Sequence, residues 1–446
     1  MNQRDSAGFE MTGTTAEGLA HYEIATHQLR CYISDPVASV DAALTSAPQM
    51  VMAHVLKAYL HLLGTEPLAL PVARGCLAAA ADLPATERER GHLEAARLLT
   101  EGRWRAAGRV LEDVSIAYPC DTLALQAGHQ IDFFRGDSRM LRDRIARALP
   151  AWSNSIPGYH ALLGMHAFGL EETGDYAQAE KQGRKAVELQ RHDTWAWHAV
   201  AHVYEMRNQP REGLAWMSLD TDAWAKDSFF AVHNWWHQAV FHLELGATDD
   251  ALRLFDGPVF GARSSVVLEL VDASALLWRL MLRGVDVGSR FEVVADNWEP
   301  IAAAGNYAFN DVHAMMAFVG AGRAKEQQAV LEAQRAVMDD DLTVSADNLE
   351  ITREVGHPAT RAIQAFGQGR YAECVELLRP IRHATHRCGG SHAQRDLFDQ
   401  TLIEASRRAG LDALTTALVR ERVALRPRTP LAALLEQRAR PLAKAA

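Results

Sequence analysis

The chain has 446 residues, of which 48% are hydrophobic and 23% charged, a balance that fits a folded protein and excludes extended disorder. Lys and Arg number 46 against 56 Asp and Glu, and the net charge of −10 argues against nucleic acid as a partner. The five cysteines, Cys31, Cys76, Cys120, Cys374 and Cys388, show no CxxC spacing and read as reduced thiols rather than a disulfide framework or a structural zinc site.

The polar N-terminal stretch lacks a signal-like apolar core, and no apolar run approaches the roughly 20 residues that span a bilayer, so a cytoplasmic protein without a membrane partner is expected. Residues 1–20 read as a flexible tail. Beyond them, turn residues recur at Gly64, Gly102, Gly136, Gly174, Asn208, Gly246, Gly284, Gly322, Gly369 and Gly410. A glycine at such a place ends one helix with a left-handed cap, and a short loop starts the next, so each repeat predicts an αα-hairpin. After Gly174, the residues Tyr176, Ala179, Gly183 and Ala186 put small side chains at helical spacing, letting two helices approach closely. No segment reads as a strand. The offsets resemble the tetratricopeptide repeat, and the expectation is an all-α, tetratricopeptide-repeat-like superhelix of about ten αα-hairpins. One solenoid should cover 21–430, with an inserted loop or extended helix from Thr343 to Pro358 and a capping, frayed segment over 431–446.

Histidines concentrate on the first helices. His54, His92 and His198 lie ten residues before their turn residue, and His237 and His313 nine, so several imidazoles are expected to face one groove. His198 and His202 are four apart on one helix face, with Glu205 a turn further; His233 and His237, in HNWWH, repeat the spacing. Such pairs can chelate a divalent metal with a carboxylate completing the sphere, which makes His198, His202, Glu205, His233 and His237 the candidate metal set. No cofactor is firmly implied. Of the crowded tryptophans, Trp236 is expected to face a pocket. The LVDASALLWRL helix adds Asp272, Trp278 and Arg279, and FNDVHAMMAF adds Asn310, Asp311 and His313. In GGSHAQRDLF, Ser391 reads as an N-cap, with His392, Gln394, Arg395 and Asp396 opening a helix whose free N–H groups suit an anion. No P-loop, HExxH, GxSxG, EF-hand or strand-linked GxGxxG is present.

The blocks HDTWAWHAVAHVYEM, HNWWHQAVFHLELG, LVDASALLWRL, FNDVHAMMAF and GGSHAQRDLFDQTLIEA resemble the tetratricopeptide repeat protein 38 family over roughly residues 20–430. The resemblance implies a soluble all-helical superhelix and supplies no established activity. Two functions compete. In the first, the chain binds a small polar or anionic molecule and acts as an enzyme by acid–base chemistry such as hydrolysis, elimination or amide transfer. His198, His202, His237, Asp311 and His313 are its catalytic candidates, and His233, Trp236, Asp272, Trp278, Arg279, Asn310, His392, Gln394, Arg395 and Asp396 its ligand-binding candidates. In the alternative, the groove takes a peptide or protein partner as a scaffold.

Overall fold

The computed structural model describes residues 3–339 and 346–439. Among these the elements are helices, apart from a two-stranded ribbon in which Gln3–Arg4 pairs with Glu10–Met11. The all-α expectation holds.

Nine of the ten turn residues expected from the sequence adopt a left-handed backbone, with φ from 57° at Asn208 to 87° at Gly174. Each closes its helix in the same way. At Gly102 the glycine N–H bonds to the Leu99 carbonyl and the Arg103 N–H to the Leu98 carbonyl; the same pair of bonds recurs at Gly136, Gly174, Asn208, Gly246, Gly284, Gly322, Gly369 and Gly410. This double closure satisfies two of the carbonyls that a helix C-terminus leaves open, and it requires positive φ at the turn. A Cβ at Gly174 would meet nothing within 4 Å, so the glycine is needed there for its backbone alone. Gly64 is the exception, since Thr65 takes the left-handed conformation in its place. Two second helices start from side-chain caps, Asp137 accepting from the Met140 N–H and Asp175 from the Gln178 N–H, while others, such as Trp104–Ala117, start without one.

Consecutive helices pack as antiparallel hairpins, for example Glu87–Thr100 on Trp104–Ala117 and Tyr159–Glu172 on Tyr176–Leu189. Small residues set the approach. A Cβ at Gly183 would lie 2.5 Å from the Val200 methyl, and one at Gly213 would lie 2.4 Å from the Phe241 ring, so both positions must be glycine for their neighbours to pack. A further hairpin, Ala16–Cys31 with Pro36–Ser46, precedes the expected ten. Its turn uses Tyr32 and Ser34 at positive φ instead of a glycine.

The flexible tail expected over residues 1–20 is corrected for the described residues 3–20. The ribbon ends at Met11, which is fully buried, and the Thr12 N–H and hydroxyl both bond to the Glu89 carboxylate, at 3.0 and 2.8 Å. Helix Ala16–Cys31 then starts on a Thr15 cap. Within Thr343–Pro358 the described part is helical: Ala346–Ile351 runs through a wider turn at Thr352–Gly356 into His357–Gly367. Residues 340–345 lie outside the described residues, as do 440–446 of the C-terminal segment; helix Pro430–Ala439 packs on Asp412–Leu425.

Where the sequence reads as one solenoid, the described residues group into two compact units. The first takes those of Met1–Val203, Asp220–Ala231 and Leu342–Asp347; the second takes those of Tyr204–Leu219, Val232–Asp341 and Asn348–Ala446. In the first, Met11, Tyr22, Leu56, Tyr59, Leu111 and Ile131 belong to one apolar core; burying each such side chain contributes about 1.5–3 kcal/mol. The second closes on itself. Helix Val267–Leu282 packs against Ala308–Gly320 and also against His392–Arg408, far along the chain. Arg438 donates to the carbonyls of Leu282 and Arg283, at 3.2 and 2.8 Å, capping that helix with a positive charge at its negative end.

Candidate functional site

The first-helix histidines are interior. His54, His92, His198, His237 and His313 are all buried. In the first unit His92 donates from Nε2 to the Asp121 carboxylate at 2.9 Å, and Arg88 donates to the same carboxylate at 2.8 Å. Burial would raise the Asp121 pKa, but the His92 and Arg88 partners outweigh it and hold the carboxyl well below the usual range. His198 and His202, with ring centroids 4.4 Å apart, sit among aromatic rings: Phe168 stacks on His198 and meets His202 edge-on, while Trp195 and Phe230 also contact His198. His202 Nδ1 lies 3.6 Å from the buried Glu171 carboxylate.

The second unit holds most of the other candidates, in a chain of paired charges. His233 Nδ1 contacts both oxygens of Asp272, at 3.0 and 2.8 Å, and its ring stacks on Trp236 with planes 9° apart. One turn on, His237 Nδ1 lies 3.3 Å from Glu205, whose other oxygen accepts from Arg426 at 3.3 Å. Burial lowers the pKa of His237 and would raise that of Glu205; the His237 bond and the Arg426 charge reverse the second effect, so Glu205 stays ionised.

Trp236 is fully buried, with the Arg279 guanidinium 5.7 Å from its ring centroid. Arg279 also donates to the Ala393 carbonyl at 2.5 Å and lies 3.5 Å from Asp396. Asp396 is bonded to Arg422 as well, and Arg422 and Arg283 reach Glu244 at 3.5 and 3.3 Å. Burial pulls the Arg283 pKa down to about 10. Trp278 donates its ring N–H to Thr401 Oγ1 at 3.0 Å.

Helix Ala308–Gly320 carries two groups shifted in opposite directions. Burial pushes the Asp311 carboxyl up to about 7, opposed by a 3.1 Å bond from Gln334, which also donates to Thr360 and contacts His357. Burial pulls His313 down to about 4, opposed by its Nδ1 bond to the Phe309 carbonyl at 2.8 Å. Asn310, beside them, is buried.

At the GGSHAQRDLF turn, Ser391 is the N-cap as expected. Two of the N–H groups inferred to be open there are closed: the Ser391 hydroxyl accepts from the Gln394 N–H, and the Gln394 side chain accepts from the Ser391 N–H. Arg395 donates to the Gly390 carbonyl and contacts His392 at 3.2 Å. Gly390 has φ of 75°, and a Cβ there would lie 2.7 Å from the Phe309 ring, which explains the second glycine of the motif.

Within the second unit His237, Asp311, His313 and Arg395 each have a polar partner. Sequence reading missed Glu244, Arg283, Arg422 and Arg426, which complete the paired chain, and Gln334, which bonds to Asp311. Arg422 and Arg426 carried one usable signal, a four-residue spacing on the last turns of an otherwise apolar helix face. No helix among the described residues is long and apolar enough to cross a membrane.

No protein-family model matches the chain. Among solved structures, it is similar to the TPR domain of P58(IPK) at 14% sequence identity, with 89% of this chain and 99% of that chain covered and a TM-score of 0.19. What stands is the chain's own architecture, tandem αα-hairpins of tetratricopeptide-like form closed by one recurring left-handed cap.

Proposed function

We propose that the chain is a protein-interaction scaffold that binds a peptide segment of a partner on the exposed helix faces of its hairpins. The observation that carries this reading is that the chemistry-bearing residues are engaged with one another in the interior: His233 with Asp272, His237 with Glu205, Arg279 and Arg422 with Asp396. Paired in this way, they frame the hairpins and leave recognition to the surface. The blocks that resemble the tetratricopeptide repeat protein 38 family contain every member of these pairs except Arg422, and we assign the resemblance to that shared frame.

A second reading, a small polar ligand handled by acid–base chemistry, is favoured by one observation. Asp311 is raised to about 7 and His313 lowered to about 4 on a single buried helix, the kind of divergence that marks acid and base roles. A random-peptide display library panned against the full chain separates the two. The scaffold reading expects one enriched motif whose synthetic peptide binds one to one, with affinity unchanged by His237→Gln in a variant of native helical content. Failure to enrich any motif, together with a stoichiometric small molecule retained in native mass spectrometry, would overturn it in favour of the second reading.

A further inference from the structure

Three metal-ligating side chains outside the paired chain come together in the first unit. His27 and Cys31 are four residues apart, hence on one face, at the end of helix Ala16–Cys31. His160, near the start of helix Tyr159–Glu172, joins them, and one ligand atom from each of the three lies within 4.8 Å of the others. His27 Nδ1 is 4.0 Å from Cys31 Sγ. A tetrahedral zinc, with bonds of about 2.3 Å to sulfur and about 2.0 Å to nitrogen, holds such ligands about 3.5 Å apart, so side-chain adjustments of about 1 Å close the set.

Asp193 supplies what lies behind a metal ligand. Its carboxylate contacts His160 Nδ1 at 2.8 Å, and it is itself fully buried and fixed by the Ala196 N–H at 2.9 Å. A carboxylate on one imidazole nitrogen sets the tautomer and leaves Nε2 as the ligand, the arrangement usual for metal-bound histidine. Arg30, beside Cys31, is the neighbouring positive charge, and Asp193 is the negative charge that offsets it. Cys31 is buried while His27 and His160 are partly exposed, which gives an ion a route from solvent.

We propose that His27, Cys31 and His160 bind a zinc-type divalent ion, with the fourth coordination position open to water. One thiolate and two imidazoles suit zinc and cobalt and disfavour magnesium and calcium, which take oxygen ligands. The site is independent of the peptide-binding reading.

The test is a Co2+ titration of the tag-free full-length protein followed by absorption. The site predicts one equivalent taken up, with a thiolate-to-cobalt charge-transfer band in the near ultraviolet, displaced by Zn2+. Cys31→Ser should abolish the band, and His27→Gln, at a partly exposed position, should weaken binding at least about 10-fold; Asp193→Asn should weaken it by about 10–100-fold. Circular dichroism checks that each variant keeps its helices. A folded wild-type protein that gives no charge-transfer band, or a band that survives Cys31→Ser, overturns the site. The wild-type spectrum decides even if a variant misfolds.

Discussion

Replacing Asp311 by Asn is expected to stabilise the protein at pH 8. Burial raises this carboxyl from 3.8 to about 7, so between about pH 4 and 7 the unfolded chain releases a proton that the folded chain keeps. The folded state binds more protons over that window, and stability due to this group therefore falls as pH rises through it. The full loss above pH 7 is on the order of 4 kcal/mol, an upper bound. Asn keeps the shape and an acceptor for Gln334 and has no proton to lose. His313 works the other way: lowered from 6.5 to about 4, it is neutral in the folded state where the unfolded chain is protonated, so its contribution rises between about pH 4 and 6.5. The two slopes oppose each other in the wild type. Urea unfolding at pH 5 and 8 should show the variant gaining on the wild type as pH rises. A variant less stable than the wild type at pH 8 would mean that the carboxylate has a stabilising partner.

Asp396→Ala should have the largest cost of any substitution in the paired chain. Burial would raise the pKa of this carboxyl, but Arg422, Arg426 and Arg279 outweigh burial and hold it far below the usual range. With its folded pKa depressed, its contribution is present above about pH 4 and lost as pH falls further. Removing it takes the carboxylate from the buried Arg279 and leaves Arg422 with Glu244 alone, a loss of about 3–5 kcal/mol in comparable buried pairs. Chemical unfolding at pH 7 measures this directly, and a change under about 1 kcal/mol would show that the arginines find other partners. Exchanging the whole set for apolar residues of similar volume would cost far less, which distinguishes a buried pair from a stabilising contact.

Much of the fold was legible because its repeating signal is a backbone requirement. A left-handed cap admits Gly or Asn and little else, so Gly102 through Gly410 could be read in the sequence, and Asn208 with them. The first hairpin was not legible, because Tyr32 and Ser34 adopt the same conformation without the residue type that advertises it. The N-terminal ribbon was hidden for a different reason: Thr12, next to the buried Met11, is anchored by Glu89, a partner that nothing local in the sequence announces.

The candidate site was half legible. Helical spacing correctly put His233 and His237 on one face, and composition marked their neighbourhood as unusual. Spacing carries no information on whether that face meets water or another helix, and here Asp272 and Glu205 meet the two rings. The cysteines were read as isolated thiols because no CxxC is present; the Cys31 cluster draws on an i, i+4 pair and a histidine from a separate hairpin.

The first-helix histidines marked by the sequence, His54, His92, His198, His237 and His313, lie inside the protein. Diethyl pyrocarbonate modification at pH 7, mapped by peptide mass spectrometry on the native full-length chain, tests it most directly. His383 and His386 are exposed and serve as internal standards. His92, His237 and His313 are expected to stay unmodified while the standards react fully, and all should react once the chain is unfolded. Modification of His237 or His313 in the native protein at the rate of the standards would contradict it, because those rings would then open to solvent as a ligand site requires.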